Sequence, residues 1–207
     1  CTLMPYLYSA AVYTHETGVP AMRSMNLEFP ADICCYDLDR QYMLGDSLLV
    51  APVFTDSGDV NYYLPAGRWT SLLDNRVVEG GQWLHEIHGY LSLPLMVREN
   101  TLLPIGANDQ DVEYDYGKGL SLHLFQLTSK AQASVRDMHG QPMLEAKAVN
   151  ENGRVTVQLQ GRAEGLSLVL RGIDGVSGLQ GATSQPTPLG LCLLVGPDLG
   201  PVTFTLA

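Results

Sequence analysis

From Ser47 onward the chain is cut into short apolar runs too closely punctuated for helices. LLVAPVF, VNYYLP, GRWTSLL, RVVEG, LSLPLMVREN and TLLPIG follow one another to about residue 106. They are rich in Val, Leu, Tyr and Trp, and DSGD, PAG, DN and EGG stand between them. Those are turn signals with a cause, because Gly and Asn accept positive φ. Short strands at regular spacing predict a β-sandwich or barrel. LLVAPVF is apolar throughout, the pattern of a strand buried on both faces.

A second β block runs from about 107 to 207. LSLHLFQL alternates, as does GRVTVQLQGRAEGLSLVLRG, and LGLCLLVG and PVTFTLA close the chain. Asn152-Gly153-Arg154 between AKAVNE and VTVQLQ predicts a hairpin turn. VSGLQGATSQPTPLG, rich in Gly, Ser and Pro, reads as a surface loop. The acidic ANDQDVEYDYGKG reads as the join between the two blocks or as a long loop.

The first 46 residues differ. Leu3, Leu7, Ala10 and Ala11 recur at helical steps, and Gly18 with Pro20 ends that helix. VPAMRSMNLEFP reads as a strand from Ala21 to Pro30. DLDRQYMLGD reads as a short helical turn, with Asp37 or Asp39 as N-cap and Gly45 as stop. Helix, strand and short helix make a piece of an α/β domain too small to cover both faces of a parallel sheet. Its partners are expected upstream of Cys1.

Charge narrows the function classes. The chain has 22 acidic and 12 basic side chains, a net charge of −10. That disfavours nucleic acid, whose phosphates are bound by clustered Lys and Arg. No apolar run approaches the ~20 residues of a membrane helix, and the N-terminus lacks the basic and apolar regions of a signal peptide. Cys1, Cys34, Cys35 and Cys192 form no C-x-x-C pair, so they are expected as reduced thiols of a cytoplasmic protein.

No catalytic set is visible. His85 and His88 are three apart, but their Gly-flanked setting reads as a loop entering a strand, without a metal. Asp37 and Asp39 are explained by capping, and Asp56 and Asp59 by the turn at Gly58. Asp109, Asp111, Glu113 and Asp115 lack the order of a calcium loop and read as a solvated segment. No nucleophile elbow or phosphate loop occurs. Trp69 and Trp83 have the chemistry to stack on a sugar ring, but two Trp in a β domain read first as core anchors.

LMPYLY, GVPAMRSMNLEFP, DRQYMLGDSLLVAPVF, YYLPAGRWTSLLDN and LPLMVRENTLLPIG, in that order, resemble the C-terminal part of glycoside hydrolase family 31. Within the family the wording is most similar to the bacterial α-xylosidases. The likeness runs from Cys1 to the end and is strongest over 1–128. It implies a mainly β fold: residues 1–46 as the last helix–strand portion of a (β/α)8 barrel, 47–106 as a proximal β-sandwich and 107–207 as a distal one. It implies a parent that is a retaining, exo-acting α-glycosidase removing non-reducing α-linked xylose, or glucose, from oligosaccharides. Two Asp do that chemistry, as nucleophile and as acid/base. Neither motif that carries them occurs here, so both are expected upstream of Cys1, and no catalytic residue or metal site is assigned. No cofactor is implied, the oligosaccharide is bound through the barrel, and some relatives form homo-oligomers. This chain alone is expected to be inactive and to brace the barrel.

The resemblance also puts Glu28 and Phe29 near the end of the last barrel strand, at the barrel's active face, where barrel packing accounts for both. The alternative reading is a non-catalytic carbohydrate-binding or scaffold module. In the distal block it would draw on Tyr114, Tyr116, Phe125 and Phe204.

Overall fold

A computed structural model of the chain describes residues 1–206. The fold is mainly β, as the sequence predicts. Helix α1 spans Met4–Thr17. The chain divides into two compact units, one from Thr17 to Glu99 and one that joins Cys1–Glu16 to the residues from Asn100 on. These limits differ from the sequence boundaries at 46/47 and 106/107.

In the Thr17–Glu99 unit the segment read as one strand from Ala21 to Pro30 is mostly something else. Strand β1 is only Met22–Arg23, and helix α2 follows at Met25–Glu28. Pro30 sets the end of α2, because the residue before a proline is barred from helical geometry and Phe29 sits at φ −125°. The turn expected over DLDRQYMLGD is also corrected. The short helix lies earlier, a 3₁₀ turn at Ile33–Cys35 capped by the Asp32 carboxylate on the Cys34 N–H at 3.0 Å. Tyr42–Leu44 is strand β2, paired in a hairpin with β3, Leu48–Val50. Gly45, at φ +63°, makes the hairpin turn rather than a helix stop. Both roles need the same left-handed residue, which is why the sequence alone did not separate them.

Further along are β4 (Asp59–Leu64), β5 (Arg68–Ser71), β6 (Val77–Glu79), β7 (Gln82–Ile87) and β8 (Leu95–Arg98). Six strands form one sheet in the order β1-β2-β3-β8-β5-β6, while β4 and β7 pair as a two-stranded ribbon. β3 is buried at all three positions, as the start of its apolar run predicts, but the strand stops at Val50 and Phe54, at the end of LLVAPVF, is exposed. The unit's core gathers Met25, Met43, Leu49, Tyr62, Leu64, Trp69 and Met96.

The second unit holds β9 (Thr101–Ile105), β10 (Ser121–Phe125), β11 (Lys130–Arg136), β12 (Pro142–Glu151), β13 (Arg154–Gly161) and β14 (Ser167–Arg171). It ends with β15 (Val176–Gln180), β16 (Ala182–Thr187), β17 (Gly190–Val195) and β18 (Val202–Leu206). Two five-stranded sheets, β16-β17-β14-β10-β9 and β11-β12-β13-β18-β15, share one core. Leu122, Leu168 and Leu193 of the first meet Ala146, Val157 and Phe204 of the second, the alternation a sandwich requires. The hairpin predicted at Asn152-Gly153 joins β12 to β13. The predicted loop over 176–190 is instead β15 and β16 with their turns. Each is the outermost strand of its sheet, so little of either is buried and the apolar signal is weak. Helix α1 docks on this unit: Tyr8 Oη donates to the Met138 carbonyl at 2.9 Å, and Ser9 Oγ accepts from the Arg136 N–H at 3.0 Å.

Candidate functional site

In the Thr17–Glu99 unit, α2 and β8 bring together a charged cluster around Glu28. Glu28 accepts from Arg23 at 2.9 Å and from Arg98 at 2.5 Å. Burial pushes its carboxyl up, but the two guanidinium groups outweigh that and hold it below the ordinary value. The Arg98 guanidinium lies 5.4 Å from the Phe29 ring centre, and Phe29 tilts against Trp69 at 6.2 Å. Arg98 Nε is buried with no hydrogen-bond partner among the described residues. A carboxylate neutralised by two arginines is a structural tie rather than an acid or nucleophile.

A second polar hub stands on β7. Glu86 accepts from Tyr62 Oη at 2.9 Å, pairs with His88 Nε2 at 2.8 Å, and also accepts from Arg76. His88 Nδ1 meets Ser92 Oγ at 3.1 Å. Burial works to raise Glu86, but the hydrogen bonds from His88, Arg76 and Tyr62 prevail and keep its carboxyl below the usual range. Tyr62 is fully buried, and that burial, with the Glu86 carboxylate beside it, pushes its phenol up. Gly89, Tyr90 and Leu91 follow, with Tyr90 and Leu91 almost wholly exposed. Three partners on one carboxylate hold β7 and its following loop.

The most open arrangement is the outward face of the β4–β7 ribbon. Antiparallel register sets Asp59 opposite Ile87, Asn61 opposite His85 and Tyr63 opposite Trp83. A strand alternates its faces, so these six side chains share one side, on which Tyr63 is buried and joins the core while Asn61, Trp83, His85 and Ile87 are exposed. The other side carries Val60, Tyr62 and Leu64 into the core. Trp83 is 57% exposed, while Trp69 is 2% exposed and donates Nε1–H to the Pro65 carbonyl at 2.8 Å. The expectation that both Trp are core anchors holds for Trp69 and fails for Trp83. His85 lies on β7 and is exposed, so of the surface or loop position expected for it the surface holds and the loop does not. Its Nε2 sits 2.9 Å from Asp59 Oδ1. The Ser57 hydroxyl first, and then His85, hold Asp59 below the ordinary carboxylate value. Period-two spacing in Trp83-Leu84-His85-Glu86-Ile87 was the signal for this strand. It was masked because the apolar Trp83 and Ile87 point outward.

The other sequence candidates disperse. Asp37, Asp39 and Asp56 are exposed, as are Asp109, Asp111, Glu113 and Asp115. No group of three metal-ligating side chains occurs among the described residues. All four cysteines are free, and burial pushes the Cys35 thiol up to about 11. Of the distal aromatics, Tyr116, Phe125 and Phe204 are buried and Tyr114 packs edge-on against Tyr116 at 4.9 Å, so they form no stacking platform. An apolar crevice in the distal core, lined by Leu122, Val157, Leu166 and Val202 among others, has no space even for water. No helix among the described residues is long and apolar enough to cross a membrane.

Comparison with known proteins decides the family. Residues 18–103 match the glycosyl hydrolase family 31 C-terminal domain, and residues 115–206 match the C-terminal domain of the α-xylosidase YicI. The chain belongs to glycoside hydrolase family 31. It is 40% identical over 165 residues to the α-xylosidase XylQ of Lactiplantibacillus pentosus, a match covering 77% of this chain and 22% of that protein. It is 46% identical over 112 residues to an α-xylosidase of Emericella nidulans, covering 50% of this chain and 14% of the other. Its fold matches that of the cycloalternan-forming enzyme of Listeria monocytogenes with a TM-score of 0.85 at 22% identity, over 99% of this chain and 22% of that one. The chain thus spans about a fifth of XylQ's length.

Proposed function

We propose that this chain is the C-terminal β portion of a retaining, exo-acting family 31 α-glycosidase that removes α-linked xylose, or else glucose, from non-reducing ends. The observation that carries this is the pair of family matches, to residues 18–103 and 115–206, with 40% identity to an α-xylosidase over 165 residues. In this reading the nucleophile and acid/base carboxylates stand in a barrel outside these residues, at the short separation that retention needs. The oligosaccharide binds there, without a cofactor. The β units brace that barrel, and the chain alone is inactive. Glu28 supports the division of labour: an acid/base carboxyl needs a raised pKa, and the two arginines on Glu28 drive it the other way. The four free thiols favour the cytoplasm.

The test is hydrolysis of p-nitrophenyl α-D-xylopyranoside and α-D-glucopyranoside. The 207 residues alone are expected to be inert. A chimera in which they replace the matching C-terminal segment of the Lactiplantibacillus pentosus α-xylosidase is expected to hydrolyse the xyloside. Turnover by the chain alone, or a folded chimera without activity, would overturn the proposal.

A further inference from the structure

We infer that the outward face of the β4–β7 ribbon is a surface site for a neutral oligosaccharide, with Trp83 as its stacking platform and Asn61, His85 and Asp59 as its hydrogen-bonding rim. The argument begins with how Trp83 is held. Its ring leans on Tyr63 at 5.7 Å with the planes inclined by 52°. Tyr63 is buried and tied through its hydroxyl to Asp32 Oδ2 at 3.0 Å. The indole therefore leans on a buried cross-strand neighbour, yet is 57% exposed. An ordered aromatic left open to water gives stacking area at little cost in side-chain entropy.

The rim follows from register. The Asn61–His85 pair lies two residues along the ribbon from Tyr63–Trp83, a distance of ~7 Å and the scale of one sugar ring. Asn61 is exposed and offers an amide donor and an acceptor. The 2.9 Å contact between His85 and Asp59 fixes both polar heads beside it. A pyranose has an apolar C–H face and a hydroxyl edge. An aromatic plane next to an amide, an imidazole and a carboxylate matches both. An apolar peptide would desolvate these polar groups without pairing them. An anionic glycan would meet Asp59 and a chain of net charge −10. The choice of a sugar over another small neutral ligand rests on the glycosidase reading, whereas the face itself does not.

Trp83 also supplies the readout. The only other Trp, Trp69, is buried, so acrylamide quenching of the 207-residue chain reports mainly on Trp83. Isomaltotriose and maltotriose are titrated in turn, with quenching and the side-chain N–H signals of Trp83 and Asn61 followed by NMR. At least one sugar is expected to protect the indole saturably with a Kd of about 1–10 mM, the range of a single stacked ring with a few hydrogen bonds. Trp83→Ala is expected to abolish the Asn61 shift, and Asn61→Ala to weaken binding about fivefold, the loss of one hydrogen bond. Because Asn61 is exposed, that variant tests the rim without disturbing the core. No saturable protection by ~50 mM of either sugar, far above a Kd in this range, would overturn the inference. So would binding unchanged by both substitutions. Hydrolysis by the chimera without sugar binding here rejects only this site, and binding here with an inactive chimera rejects only the glycosidase reading.

Discussion

His123 is the clearest case of one buried group setting a solution property. It lies on β10, buried, with Nδ1 3.2 Å from the Arg171 guanidinium, which itself sits 4.8 Å from the Phe125 ring centre. Burial first, and the neighbouring positive charge second, lower its pKa from 6.5 to about 4. The folded state therefore holds a neutral imidazole that the unfolded chain protonates below pH 6.5. Between about pH 6.5 and 4 the unfolded state binds more protons, so stability falls as pH falls through that window. The size is about 3 kcal/mol across the whole window, taking ~1.4 kcal/mol per pKa unit. His123→Gln keeps a neutral acceptor for Arg171 and removes the titration. Urea unfolding at pH 7 and pH 4.5 is expected to show a smaller acid loss in the variant than in the parent chain. Parallel losses would show that His123 does not drive the pH dependence.

Between elements, one side chain ties three strands together. Asn100, at φ +58°, precedes β9 and reaches the turn between β10 and β11. Its Oδ1 accepts from the Thr128 N–H at 2.8 Å and the Ser129 N–H at 3.0 Å, and its Nδ2 donates to Thr128 Oγ1 at 2.9 Å. Asn100→Ala removes these bonds and leaves a left-handed backbone that Ala disfavours, so about 2 kcal/mol of stability is expected to go. Asn100→Asp keeps the acceptor and is expected to lose less, which urea midpoints of the two variants would check. Equal losses would locate the effect in the Nδ2 donor that both variants lack. This clamp leaves no periodic trace in the sequence, because it joins residues 28 apart through loops. Strands with a buried face were legible: β3, β10, β13 and β14 read directly from their apolar patterns. β15 and β16 were not, because an edge strand buries little and Pro186 in β16 reads as a breaker. β7 failed for a different reason, since its outward positions are the larger apolar ones. The same inversion hid Trp83, whose exposed neighbours Asn61 and His85 are set beside it only by register.

At the scale of the whole molecule, the order of units differs from the order of the sequence. The Thr17–Glu99 unit is one continuous segment, whereas the other unit is made of two pieces that this segment interrupts. Apolar runs mark strands but carry no sign that α1 belongs with residues beyond Asn100, so the sequence grouped α1 with its neighbours. The structure gives α1 specific partners instead. Tyr8 reaches Met138 and also packs 6.0 Å from Tyr116, Ser9 caps the Arg136 N–H, and Gly106 N–H donates to the Thr2 carbonyl at 2.7 Å. An insertion of this kind can be removed if the host unit holds its own core, and the sandwich core draws only on Cys1–Glu16 and residues beyond Asn100. Replacing Thr17–Glu99 by a Gly/Ser linker of about 15 residues, which spans roughly 20 Å on average, is therefore expected to leave α1 docked. Without Trp69 and Trp83 the product has no tryptophan, so the Tyr8–Tyr116 contact is read from NMR cross-relaxation and the fold from circular dichroism. Adding Tyr8→Ala to that shortened chain is expected to cost about 2 kcal/mol, for a half-buried ring and its hydrogen bond. A shortened chain in which α1 is unfolded, or in which Tyr8→Ala changes nothing, would mean that α1 owes its place to the excised segment rather than to the sandwich.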